Sequence, residues 1–168
     1  MRQAVADAGV EGLTAELEQA VELGAAAGQH DASVDDVEAQ FYEALQTGDL
    51  ARLMALWADD DDIACVHPGG PRVIGHGAIR ASFEALFANG TIPVQPQRVR
   101  RIESASCSVH HVAERVDIRT AEGLQTAWVI ATNVYLKTAH GWRLVLHHAS
   151  PGSPHDAQGQ ADAPSTLH

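Results

Sequence analysis

Beyond Asn89-Gly90 the readable hydrophobic period is the two-residue repeat of a strand, over about 92–104, 107–119, 124–137 and 142–150. The connections Thr120-Ala-Glu-Gly123 and Thr138-Ala-His-Gly141 leave no room for a crossover, so consecutive strands must be antiparallel neighbours. Within 124–137, Trp128, Ile130, Thr132, Val134 and Leu136 fall on one face, and Ala127, Val129, Ala131, Asn133 and Tyr135 on the other. Both faces are largely apolar. A sheet with one wet face alternates apolar with polar residues, so this one needs cover on both sides. Helices cover one side only, and a second copy of the chain is the simplest cover for the other. This predicts a homodimer through the β-sheet.

The helical signals lie upstream. Ser33 is a good N-cap with Asp36 three residues on, and Val34, Val37, Phe41, Ala44 and Leu45 then line one face as far as Gly48. Asp49 caps a shorter helix marked by Leu50, Leu53, Met54 and Trp57. The run Asp59 to Asp62 lacks the alternate spacing and glycine turn of a calcium loop and reads as a solvated connection. Ile63–His67 and Arg72–Ile74 read as a short hairpin around Pro68–Pro71, and a third helix carries Ile79, Phe83, Leu86 and Phe87 to the Asn89-Gly90 stop.

A chain of 168 residues holds one ordinary domain, and no apolar run approaches the ~20 residues of a membrane span. We expect an N-terminal appendage at 1–32, with helical spacing at Leu13, Leu17 and Val21, a domain at 33–151 and a disordered tail at 152–168. Arg2 is followed by small and acidic residues rather than an apolar stretch, so no secretory signal is read and a cytoplasmic location is expected. Cys65 and Cys107 are read as reduced thiols, with one bridge between them left open. The net charge of −11 repels phosphate backbones and anionic lipid, which excludes nucleic acid and membrane surfaces as partners. The cluster Arg98, Arg100 and Arg101 reads as a solvated strand edge.

The segments Phe41–Asp49 (FYEALQTGD), Leu53–Asp59 (LMALWAD), Val66–Gly69 (VHPG), Gly75–Arg80 (GHGAIR) and Gly141–Ser150 (GWRLVLHHAS) occur in an order and spacing that resembles the SnoaL-like, nuclear transport factor 2-like superfamily. The closing strand is most similar to the SnoaL-like and calmodulin-dependent kinase association-domain branches. The resemblance implies an α+β fold: three N-terminal helices packed on a strongly curved antiparallel β-sheet, a cone-shaped half-barrel with an internal pocket. The scaffold hosts isomerases, cyclases, dehydratases and non-catalytic modules, so fold alone does not name the activity. Anchored on Gly48-Asp49, the catalytic tyrosine of the ketosteroid isomerases falls on Phe41, and anchored on Pro68 their aspartate base falls on His67. Phe41 donates no hydrogen bond, and Tyr42 lies about 100° around the helix, so the isomerase oxyanion hole is not reproduced and steroid isomerisation is not expected.

His67 takes the position of the base, as an imidazole able to accept a proton at neutral pH. His147 and His148 point to opposite faces of the last strand. His148 is the expected pocket residue, being in phase with Trp142, Leu144 and Leu146 and matching the association-domain branch near the strand end, with His147 as the alternative. Tyr42, Trp57, Cys65, Arg72, Trp128 and Asn133 are the expected substrate-binding residues. No metal is expected: Cys65 and His67 share a strand face that His110 or His111 could approach, yet no HxH, HExxH or CxxC spacing occurs. No cofactor is expected either, since GxGxxG and phosphate-loop motifs are missing, and GxSxG is missing too. The expected ligand is a small apolar or mixed-polarity compound. The chain is then either a cofactor-independent enzyme moving protons on a small carbonyl or ring compound, or a non-catalytic ligand-binding or dimerisation module.

Overall fold

The computed structural model describes residues 32–158. The helix expected at 13–21 and most of the expected tail lie outside these residues. Helix α1 (Val34–Thr47) opens on a capping box in which Ser33 Oγ accepts from the Asp36 N–H at 3.1 Å and the Asp36 carboxylate accepts from the Ser33 N–H at 2.8 Å. It closes on Gly48 at φ 70°, a left-handed turn that favours glycine. Helix α2 (Leu50–Ala55) is capped by Asp49, whose side chain accepts from the Arg52 N–H at 3.0 Å. Strands β1 (Ala64–Val66) and β2 (Arg72–Ile74) form the hairpin, and helix α3 (His76–Phe87) buries Ile79 and Phe83. Then come β3 (Val94–Glu103), β4 (Cys107–Thr120), β5 (Gly123–Thr138) and β6 (Gly141–Pro151). A five-residue helix α4 (Pro154–Gln158) follows within the segment read as a tail, begun by Ser153, whose N–H and Oγ both donate to Asp156 at 2.7 and 2.8 Å.

The architecture is α+β, with helices packed on a curved, unclosed six-stranded sheet in the order β2-β1-β6-β5-β4-β3. Strands β3 to β6 are an antiparallel meander, as their short connections demand. The expectation of a wholly antiparallel sheet needs one correction: β1 pairs parallel with β6. Strand β1 arrives from the helical half of the chain with no hairpin tying it to β6, so loop length does not set its direction.

The core lies between α1 and α3 and the concave face, where Phe41, Leu53, Ile79, Phe83, Tyr135 and Leu144 are almost wholly buried. The register shifts between Val134 and Tyr135, so that Val134 faces Leu146 while Tyr135 faces Leu144 and Val145 is left as an extra residue. This bulge sets the position of the site: a two-residue period carried through it assigns every later side chain of β6 to the wrong face.

Among the described residues no helix is long and apolar enough to cross a membrane.

Candidate functional site

Residues paired across neighbouring strands point to the same side of a sheet. The register therefore places Cys65, His147, Asn133, His110 and Arg101 in one row across five strands. Four of the five are buried on the concave face. Four residues beyond His110 along β4, on the same face as His110 and Val112, stands Glu114, 5% exposed. These polar groups sit behind and beside a cavity of about 380 Å³. Its walls are mostly apolar, including Leu45, Phe83, Ile92, Val94, Val116 and Val129, and its polar side chains are His67, Glu114 and His147. The volume is that of an ordinary small-ligand site.

A chain of hydrogen bonds sets the orientation of each polar group. Tyr42 Oη donates to Glu114 at 2.8 Å, Asn133 Nδ2 donates to Tyr42 Oη at 3.3 Å, and His147 Nδ1–H donates to Asn133 Oδ1 at 2.7 Å. With its Nδ1 proton engaged, His147 turns an Nε2 lone pair outward as an acceptor. Burial, reinforced by His67 and His148, drives the His147 imidazole down to about 3, so it is neutral. His67 Nε2 lies 3.1 Å from Ser82 Oγ, whose own proton goes to the Ile79 carbonyl at 2.7 Å. Ser82 thus accepts from His67, leaving Nδ1 of His67 as the free basic nitrogen. Burial lowers this imidazole too, against the edge-on ring of Phe83 at 4.8 Å.

Glu114 behaves in the opposite way. Burial pushes its carboxyl up to about 7, a rise that the Tyr42 hydrogen bond opposes and the charge of Glu38 reinforces. One cavity therefore holds an acid poised near neutrality and two imidazoles kept uncharged, the pairing expected of an acid–base site.

Of the residues expected from sequence, His67 lines the cavity, Asn133 aims His147, and Tyr42 orients Glu114. Cys65 packs at the row's end with Sγ 3.9 Å from His67 Nε2, and burial raises its thiol to about 12, so it is a packing residue rather than a nucleophile. The expectation of His148 in the pocket is corrected: His147 lines the cavity, and His148 is exposed on the convex face because of the bulge at Val145. Trp128 lies on that same convex face. Arg72 is exposed on β2 at the sheet edge. Trp57 lines a separate outer groove of about 440 Å³ with His76, His140 and Arg143, and its indole nitrogen has no partner among the described residues. Glu114 is the polar cavity residue that sequence reasoning misses. Its signal is its phase, since it alternates with Val112 and Val116 on a buried face.

Deeper in the fold, His110 Nδ1–H donates to Glu38 Oε2 at 2.7 Å, and His110 Nε2 accepts from Ser108 Oγ at 2.9 Å. Asp35, Glu38 and His110 bring three ligand-type atoms within 4.8 Å of one another, but Arg101 Nε already donates to Asp35 at 2.8 Å and His110 to Glu38. These donors are engaged with one another.

The pattern that defines the SnoaL-like domain family matches residues 34–154. No curated protein matches the chain. Among solved structures, a protein from Thiobacillus denitrificans designated a calcium/calmodulin-dependent protein kinase type II association domain is 36% identical, with a TM-score of 0.66 over 72% of this chain and 96% of that one. A protein from Streptomyces avermitilis designated a dehydratase of the NTF2-like family is 30% identical, with a TM-score of 0.64 over 71% and 93%. A calmodulin-dependent kinase II hub from S. rosetta is 19% identical, with a TM-score of 0.58 over 71% and 94%, and shares the fold.

Proposed function

From the premise that this chain belongs to the SnoaL-like domain family, we propose that it is a cofactor-independent pocket enzyme that moves protons on a small neutral carbonyl or ring compound. The observation that carries this reading is the cavity itself, in which Glu114, with its carboxyl pushed up to about 7, shares apolar walls with two neutral imidazoles. At neutral pH the carboxyl is protonated about half the time, which suits it to donate to a carbonyl or a departing hydroxyl. His67, through Nδ1, takes the proton from carbon. His147 accepts a hydrogen bond through Nε2 and orients the compound. The proton gained by His67 and the one lost by Glu114 balance, and both return by exchange once product leaves. Among the described residues no lysine or arginine lines the cavity, so an anionic ligand would find no countercharge there. The dehydratase designation of the S. avermitilis protein agrees with such chemistry.

A panel of candidate compounds tests this without the substrate being identified first. In D₂O, small cyclic ketones and β-hydroxyketones are followed by proton NMR for protein-dependent exchange of the hydrogen next to the carbonyl. Exchange is expected for at least one compound, slowed about tenfold or more in His67→Ala and unchanged in His148→Ala. No exchange across the panel, or equal losses in the two variants, overturns the reading.

Self-association is the second part of the proposal. Ile102, Val109, Val134 and Leu146 form an unbroken apolar row across the convex face, and Ile102 is 66% exposed. A second copy packed there covers the row, and the association-domain designation of the T. denitrificans protein is in keeping with it. Sedimentation at micromolar concentration is expected to give twice the 17.9 kDa chain mass, falling to one chain in Val134→Glu. A parent protein that sediments at one chain mass ends this reading. Two free cysteines fit a reducing cytoplasm.

A further inference from the structure

We propose that the cavity is built for an amphiphile: a neutral polar head held among His147, His67 and Glu114, and an open-chain alkyl tail that leaves between Leu86 and Ile118. This rests on the reading of the cavity as the ligand site and names the class of compound that it takes. The sheet register supplies the direction. His110 pairs with Asn133 and Asn133 with His147, and from that row β4 carries Val112, Glu114, Val116 and Ile118 onward on the same face. His67 lies two residues past Cys65, the partner of His147 on β1, so it stands one step along the same path. The three polar side chains of the cavity therefore lie in the inner half of that path. Beyond Glu114 the wall turns aliphatic: Val116 stands between Val94 and Ala127, and Ile118 ends the row.

Exposure rises along the same path. Glu114 is 5% exposed and Ile118 46%, and on the helical wall Phe83 is 1% exposed and Leu86, three residues on, 36%. The rim is thus made of aliphatic side chains that line the cavity and also meet water. Gln125, the partner of Ile118 on β5, is exposed and stands outside the lining. An apolar segment of ligand seated at the rim removes that surface from water. Ile118 is on the concave face, so self-association through the convex row leaves it uncovered. The eight steps from His110 to Ile118 make a path of about 27 Å along the strand. A volume of about 380 Å³ drawn out along that path is narrow, which suits an extended chain better than a fused ring system. The inner half sets the head. His147 offers an acceptor, and among the described residues no cation lines the wall, so a carboxylate head would meet Glu114 without a countercharge.

The experiment measures, by calorimetry on the full-length protein, the binding of methyl alkyl ketones lengthened one methylene at a time. Affinity is expected to rise about fourfold per methylene until the tail reaches the rim, and then to level off. For the longest ketone before the plateau, Ile118→Ser and Leu86→Ser should each weaken binding by about threefold or more, and leave the shortest measurable ketone unchanged. Both side chains already meet water, so the variants keep the fold. Leu124→Ser, on the same hairpin and more exposed than Ile118 but outside the lining, should change nothing. The fatty carboxylate of the same length should bind about tenfold more weakly or worse, as should a cyclic ketone of the same carbon number. Affinity that does not grow with chain length, an equal loss in Leu124→Ser, or a carboxylate or cyclic ketone that binds as tightly overturns the inference. The readout is separate from turnover. If short ketones exchange hydrogen while affinity ignores chain length, the inference falls and the enzyme reading stands; if affinity climbs as stated and no ketone exchanges, the enzyme reading falls and the amphiphile site stands.

Discussion

Replacing Glu114 with Gln is expected to slow proton exchange of a cavity-bound ketone by about 10²–10⁴-fold while the protein keeps its fold. The amide occupies nearly the same volume and its oxygen still accepts from Tyr42 Oη, so the bond at 2.8 Å survives. What is lost is the proton that the proposed acid would deliver. The same variant has a signature in stability. The folded-state value of Glu114, about 7, lies above the ordinary 4.5, so between those values the folded protein holds a proton that the unfolded chain has released. The contribution of this group to stability is complete below about pH 4.5 and is lost as pH rises through about 7. Denaturation curves of parent and Glu114→Gln should therefore separate as pH rises, the variant gaining relative to the parent, and stop separating above about pH 8. His147, depressed to about 3, has the reverse dependence, losing its contribution as pH falls below its ordinary 6.5, but it is common to both proteins and cancels in the difference. A constant difference across this range would mean that Glu114 is not perturbed, and the acid role would fall with it.

Periodicity makes most of this fold legible in the sequence. The Ser33–Asp36 box, the Gly48 stop, the Phe83 stripe and the two short strand connections are local signals, and each element they predict is present. What stays hidden are relations between distant segments. Strand β1 joins β6 in parallel, a pairing that no turn residue announces. Trp142 and Leu144 do share a phase, but the extra residue at Val145 exchanges the roles of His147 and His148, and nothing in the local sequence marks a bulge there. Glu114 escapes notice because a charged residue in a strand is ordinarily solvated, and its burial is intelligible only once the Tyr42 hydroxyl, 72 positions away, is seen to meet it. Tyr42 in turn is expected to face away from the side that buries Phe41. Helix α1 instead buries both, since the curved sheet contacts more of its circumference than one stripe. Trp57 departs from expectation differently: it is buried, but toward the outer groove.

Phe41→Ala is expected to cost about 3–5 kcal/mol of stability, read as a lower urea midpoint at an unchanged slope. Phe41 is fully buried and stands where three parts of the site meet, its ring centroid 5.5 Å from that of Tyr42, 6.4 Å from Phe83 and 5.3 Å from the imidazole of His147. Removing it deletes apolar contacts and leaves space that α1, pinned by its capping box and by the Tyr42–Glu114 bond, is poorly able to close. The position also separates this chain from the isomerases that it resembles. Restoring their tyrosine by Phe41→Tyr adds a hydroxyl beside an imidazole whose Nδ1 proton already goes to Asn133. That hydroxyl has a place only if it donates to His147 Nε2, the acceptor assigned to the ligand. Phe41→Tyr is therefore expected to fold with a penalty of about 1–3 kcal/mol if the new group stays unpaired, and with little penalty if it reaches Nε2. In the second case ligand binding should weaken, since the compound and the tyrosine then compete for one lone pair. A variant that is unchanged in stability and binds as the parent does would show that His147 Nε2 does not face the ligand.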